Sequence, residues 1–241
     1  MDKDQLPSPQ MPDITFAPPA DIVDILAAEC AACAAVATTL SEDDFGLPTR
    51  CPPWDVKALV GHIWRDVDRI LVYAAEPAPD AVESDALAYY GADYDAVASA
   101  PDVTRRGFEA AAAFATGHEL ARDFDDRWRR AVELARWTPP DRRIRTFGPC
   151  LRLDQYLCTR LLEAAVHGLD LADAIEREPW ITPRATALVR SMLVAMLGAE
   201  PPQALGWDDL TFLEAGTGRR PIALQERADL GPLAERFPLL S

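Results

Sequence analysis

Histidine is scarce in this chain, with three residues in 241, and of the 24 basic residues only Lys3 and Lys57 are lysines. Basic charge is outnumbered by 39 acidic residues, leaving a formal net charge of −15. That balance excludes nucleic acid as a partner, because phosphate binding needs clustered Lys and Arg. It also disfavours an anionic membrane surface. No uninterrupted apolar run approaches the roughly 18 residues that a membrane span requires. The opening stretch MDKDQLPSPQMPD lacks the basic-then-apolar order of a signal peptide, so a cytoplasmic location is expected. The five cysteines are odd in number and irregular in spacing, unlike a secreted disulfide framework. With 49% hydrophobic and 26% charged residues, the composition is that of a globular chain long enough to bury a substantial core.

The apolar pattern is mainly helical. Residues 1–18, interrupted by Pro7, Pro9, Pro12 and Pro18, read as a flexible tail. The Ala-rich stretch to about Leu40 predicts a first helix, and LPTRCPP ends it. A second helix is expected from Trp54 to about Ala75, with Val56, Leu59, Ile63, Val67 and Ile70 on one stripe. Residues 76–102 read as an irregular connection carrying Tyr89, Tyr90 and Tyr94, long enough to cover a site. A third helix is expected over 103–136, with Phe114, Ala121, Trp128 and Val132 aligned. A small hairpin or an extended excursion around Gly148-Pro149 leads to a fourth helix from Leu153 to Ile175. Shorter helices are expected near 183–197, 207–215 and 223–236. The result is an all-α chain: a four-helix bundle over residues 19–180 and a helical extension over 181–241.

Two of the three histidines fall on these long helices. His62 sits at the edge of the second helix's apolar stripe. On the fourth, Arg160, Glu163, His167 and Asp170 recur at spacings of three or four, a polar ridge on an otherwise apolar helix. Such a ridge is either solvated or mutually satisfied, since burying it unpartnered costs several kcal/mol. Two imidazoles and a carboxylate from facing helices suit a divalent metal and leave a coordination position open. Asp170 or Asp66 would then fix a ligand imidazole, and Arg160 would hold an acidic group. The plain alternative is a solvated Glu–His pair and a hydrogen-bonded histidine.

The other reactive residues have plainer readings. His118 has no carboxylate at ligand spacing and reads as a core or surface histidine. Cys30 and Cys33 form a CxxC inside an Ala-rich helix without a βαβ context, which favours small core residues over a redox pair. Cys51, Cys150 and Cys158 read as inert. Asp123, Asp125 and Asp126 alternate with Arg122, Arg127 and Arg129, the pattern of a solvated face. Thr217-Gly-Arg-Arg220 reads as a turn between helices, with a basic contact to substrate as the alternative.

Residues 50–63, RCPPWDVKALVGHI, and residues 160–171, RLLEAAVHGLDL, resemble in order and separation the two signatures of the mycothiol-dependent maleylpyruvate isomerase family, within the DinB-like superfamily. The resemblance implies a DinB-like four-helix bundle holding one divalent metal, usually zinc. It implies His62, Glu163 and His167 as metal ligands and mycothiol or a similar thiol as cosubstrate. The founding isomerase carries a mixed α/β C-terminal domain, whereas residues 181–241 here are short and helical in pattern; this departure bears on substrate and leaves the metal site untouched. The leading expectation is a metal-dependent thiol enzyme, an isomerase or S-transferase acting on a small electrophile, with Arg160 and Asp170 serving the site. Alternatives are a metal-dependent hydrolase without thiol and a non-enzymatic helical module. The oligomeric state stays open, a homodimer included.

Overall fold

The computed structural model describes residues 15–90, 96–146 and 148–240, so residues 1–14 of the expected tail and Tyr94 lie outside the described residues. The long helices are α1 (Pro19–Ala37), α3 (Val56–Ala75), α5 (Gly117–Trp137) and α6 (Leu153–Ala174). They pack as an all-α bundle in which α1 and α3 each contact both α5 and α6. The short α2 (Glu42–Phe45) joins α1 to α3, and α4 (Ala96–Ala112) lies along α3.

Of the long helices, α3 and α5 begin at side-chain caps. Asp55 ends the extended turn before α3 and accepts from the Ala58 backbone N–H at 2.8 Å, satisfying one of the orphan donors of a helix start. The expected stripe of α3, from Val56 through Ile70, is buried. α6 differs: from Leu153 to Ala172 every residue but Glu163 is buried, so it runs through the centre of the molecule. A helix covered on all sides belongs to a core rather than a surface.

The helix expected over 103–136 is two helices, α4 ending at Ala112 and α5 starting at Gly117. Local capping overrides the continuous stripe. The Thr116 hydroxyl accepts from Glu119 N–H at 3.1 Å, and the Glu42 carboxylate of α2 accepts from the Gly117 and His118 N–H groups at 2.9 and 3.0 Å. Gly117 is packed so closely on Phe45 that a Cβ there would lie 2.0 Å from the ring. The irregular connection is correspondingly shorter than expected: α4 begins at Ala96 and carries Pro101 inside it.

The hairpin forms as expected, with β1 (Arg143–Arg145) antiparallel to β2 (Cys150–Arg152) and Ile144 opposite Leu151. Beyond residue 180, regular structure among the described residues is helical: α7 (Pro183–Leu197), α8 (Asp209–Gly216), α9 (Leu224–Leu230) and short 3-10 turns. α7 packs on α1 and α6, and α8 packs on α7. Buried Glu29 of α1 accepts from the Thr182 N–H at 2.8 Å, tying the start of α7 to the bundle. No helix among the described residues is long and apolar enough to cross a membrane.

Candidate metal centre

The two signature segments meet where α3 crosses α6. His62 Nε2 lies 3.5 Å from Glu163 Oε2, and His167 Nε2 lies 3.3 Å from the same oxygen. All three atoms fall within 4.8 Å of one another. These separations are too long for good hydrogen bonds. They match the edge of a tetrahedron whose ligands sit about 2 Å from a central zinc, an edge of about 3.3 Å. The donor set therefore fits a divalent cation. The rings of His62 and His167 stand edge to face with centroids 4.9 Å apart, and Trp54 covers the His62 ring at 4.7 Å. Trp54 is held in turn by its indole N–H, which donates to Thr104 O at 3.1 Å, and by Gly107, where a Cβ would come within 2.9 Å of the indole.

Two of the three candidate ligands, His167 and Glu163, are fixed from behind. His167 Nδ1 faces Asp170 Oδ2 at 2.9 Å; the carboxylate can only accept, so Nδ1 carries a proton and Nε2 points at Glu163. Asp170 is fully buried and gathers further donors: Arg50 Nε at 2.7 Å, Arg219 Nη2 at 2.8 Å and the Cys51 thiol at 3.0 Å. Burial would raise its pKa, but the hydrogen bonds from His167 and Arg219 hold it well below the usual carboxylate range. Tyr90 O–H donates to Glu163 Oε1 at 2.9 Å. Burial and the adjacent Glu163 charge push the Tyr90 hydroxyl well above its ordinary value, so it remains a donor.

The electrostatics favour a cation between the three ligands. Burial alone would raise Glu163, yet the two imidazoles and Arg160 hold it well below the normal carboxylate range. Burial likewise opposes protonation of His167, but Asp170, Cys51 and Glu163 keep its pKa well above the ordinary value. A potential that holds a proton there would also hold a metal ion in its place. Asp66 completes the rim. Its Oδ1 pairs with Arg160 Nη1 at 2.6 Å, while Oδ2 is buried without a hydrogen-bond partner, 3.6 Å from His62 Nε2. An orphaned carboxylate oxygen beside three ligand atoms is a second sign of a positive group.

Cys51, His167 and Asp170 also lie close enough together to hold an ion. Two guanidinium groups already engage Asp170, and their charge repels a cation there, so this second set is a hydrogen-bond network.

Of the sequence-derived residues, His62, Glu163 and His167 converge; Asp170 backs His167 and Arg160 pairs with Asp66 beside them. His118 lies on the surface, its Nδ1 2.6 Å from Glu42 Oε1. Cys30 and Cys33 are buried free thiols in the core, as is Cys158, whose thiol burial pushes up to about 12. Cys51, read as inert, instead lies in the site. Tyr90 comes from the connection expected to cover a site, and Arg219 from the 217–220 turn, for which a basic contact to substrate was the alternative reading. Arg50 opens the first motif without having been singled out, and Arg219 is contributed from more than 40 residues beyond α6 by the turn after α8.

A cavity of about 730 Å³ opens over the three ligands, walled by Trp54, Tyr89, Tyr90 and Arg219 among others. That volume is typical of a small-molecule site. No match to a curated protein or to a solved structure was found. Residues 26–172, more than half the chain and including the three candidate ligands, match the family described as Mycothiol maleylpyruvate isomerase N-terminal domain, and the chain belongs to that mycothiol-related enzyme family.

Proposed function

We propose that this protein is a metal-dependent enzyme that uses mycothiol or a closely similar low-molecular-weight thiol to attack a small electrophile, as an isomerase or an S-transferase. The observation that carries the reading is the convergence of His62 Nε2, Glu163 Oε2 and His167 Nε2 at the floor of a cavity large enough for both reactants. His62, Glu163 and His167 would hold a divalent metal, zinc by donor type. Two neutral imidazoles and one carboxylate leave such a metal Lewis-acidic, which lowers the pKa of a thiol at its open position.

The chain's own residues supply orientation. Asp170 accepts from His167 Nδ1 and keeps Nε2 directed at the metal position, while Arg50 and Arg219 keep Asp170 charged. Tyr90 occupies Glu163 Oε1 and leaves Oε2 for the metal. Arg160, held over the Tyr156 ring at 4.9 Å and anchored by Asp66, orients an acidic group of the substrate. Trp54 excludes water from one side of His62. With the metal acidifying the thiol, no separate general base is required. Addition to an activated cis double bond, rotation and expulsion of the thiol would make an isomerase; retention of the adduct would make a transferase.

Calorimetric titration of mycothiol into zinc-loaded protein tests this, with metal stoichiometry checked by mass spectrometry and His167→Ala as control. Saturable binding that needs both zinc and His167 is the expected result. Retained zinc without thiol binding, or turnover with no thiol present, would overturn it.

A further inference from the structure

The cavity contradicts the composition of the chain that builds it. Acidic residues outnumber basic ones 39 to 24 overall. Yet the cavity is lined by Arg50, Arg65, Arg69, Arg106, Arg160 and Arg219, against the acids Asp66, Asp102 and Glu163. Three of these arginines already have work: Arg50 and Arg219 hold Asp170, and Arg160, paired with Asp66, is assigned one acidic group of the substrate in the proposed function. Arg65, Arg69 and Arg106 remain, at a part of the cavity away from Asp170.

The donors of Arg65 and Arg69 are poorly matched by acceptors, and Arg106 adds its charge beside them. Arg65 is half-buried and makes no hydrogen bond or salt bridge among the described residues. Arg69 Nε is buried with no hydrogen-bond partner. The Arg69 guanidinium comes no nearer than 3.6 Å to Asp68, whose other oxygen is taken by Arg127 at 3.1 Å. Arg106 shares Asp102 with Arg105, at 3.1 and 3.2 Å. Burial lowers the Arg65 pKa, and the charges of Arg69 and Arg106 add to it against Asp66. Like charges gathered around unmatched buried donors cost stability unless an anion joins them.

We propose that Arg65, Arg69 and Arg106 form a subsite for an oxyanion on the electrophile, a phosphate or a carboxylate, in the same cavity as the metal position. Arg65 and Arg69 follow His62 by three and seven residues on α3, so they lie roughly 5 and 10 Å along the helix from that ligand. Arg106 faces them from α4. A small substrate anchored here by its acidic end would place an electrophilic carbon a few bonds away, over the metal position. Guanidinium forks suit such oxygens because they donate bidentately. The role in catalysis rests on the metal–thiol reading, but the anion site itself does not.

Calorimetry with phenyl phosphate, succinate and neutral succinamide separates the possibilities, run on both chelator-treated and zinc-loaded protein. One of the two anions should bind saturably in both states and succinamide should not; which anion binds identifies the group. Arg65→Gln and Arg69→Gln should each weaken that binding roughly tenfold, and Arg129→Gln, on the solvated face of α5, should leave it unchanged. Ligand-free Arg65→Gln should melt at or above the wild-type temperature, because it relieves repulsion. Loss of anion binding on chelation, unchanged affinity in Arg65→Gln, absence of binding to wild type, or a markedly lower melting temperature for ligand-free Arg65→Gln would each overturn the proposal. Loss of thiol binding with anion binding intact would sink only the metal–thiol reading.

Discussion

α5 and α6 carry charged residues at the same helical spacing and use them in opposite ways. On α5, Asp125 pairs with Arg129 at 2.7 Å on a face that water reaches, while Asp123 and Arg127, 3.5 Å apart, are partly covered by Trp64 and Asp68 of α3. On α6, Arg160, Glu163, His167 and Asp170 form the same i, i+3, i+4 ladder, but the rest of the helix is buried all round. Water screens the Asp125–Arg129 pair to near insignificance. The α6 set must satisfy itself inside the protein, and it does so by recruiting α3, the turn before it and the chain after α8. The difference teaches that a charge ladder signals a site when its own helix has no other exposed face to put it on.

The contrast can be broken most severely at His167. His167→Ala should reduce bound metal to baseline and lower any thiol-dependent turnover by more than about a hundredfold, beyond the cost of altering a ligand's outer partner. Its helical circular dichroism should persist, and mass spectrometry with a turnover assay checks both. A metal-loaded, active variant would remove the distinction between the two helices.

Next in size is the buried pair of Arg160 and Asp66. Arg160→Met should destabilise the protein by about 3–5 kcal/mol in urea unfolding, because it leaves Asp66 charged and uncompensated. Adding Asp66→Leu should recover much of that loss, since two apolar residues replace two buried charges. Equal losses in the single and double variants would mean the pair is not coupled. Thr116→Ala removes the cap that starts α5 and should cost about 1 kcal/mol by the same measurement. Smallest of all, Arg129→Ala on the solvated ladder should change stability by less than about 0.5 kcal/mol. A loss comparable to that of Arg160→Met would show that the α5 face is not the inert counterpart described here.

Legibility in the sequence followed the same division. The stripe from Val56 to Ile70 located α3, and the ridge from Arg160 to Asp170 marked the candidate site, because both are periodic along a single helix. The break between α4 and α5 was hidden because its causes are not on the helix that breaks: Glu42 and Phe45 come from α2. Arg65 and Arg69 were in plain view on α3, but their isolation is a fact about missing neighbours, which no spacing reports. Cys51 stood within the first motif and still read as inert, since its contact with Asp170 spans 119 residues of sequence.

Arg219 stands outside the span that defines the family, which ends at residue 172. Its guanidinium nevertheless grips the carboxylate that orients His167. The bundle thus leaves one handle of its candidate metal centre accessible to the chain that follows it. A different tail, offering a different charge at that one carboxylate, would alter the imidazole's basicity and its hold on a metal without a single change among the helices. Tail exchange is in this architecture a means of tuning chemistry, separable from the scaffold that houses it.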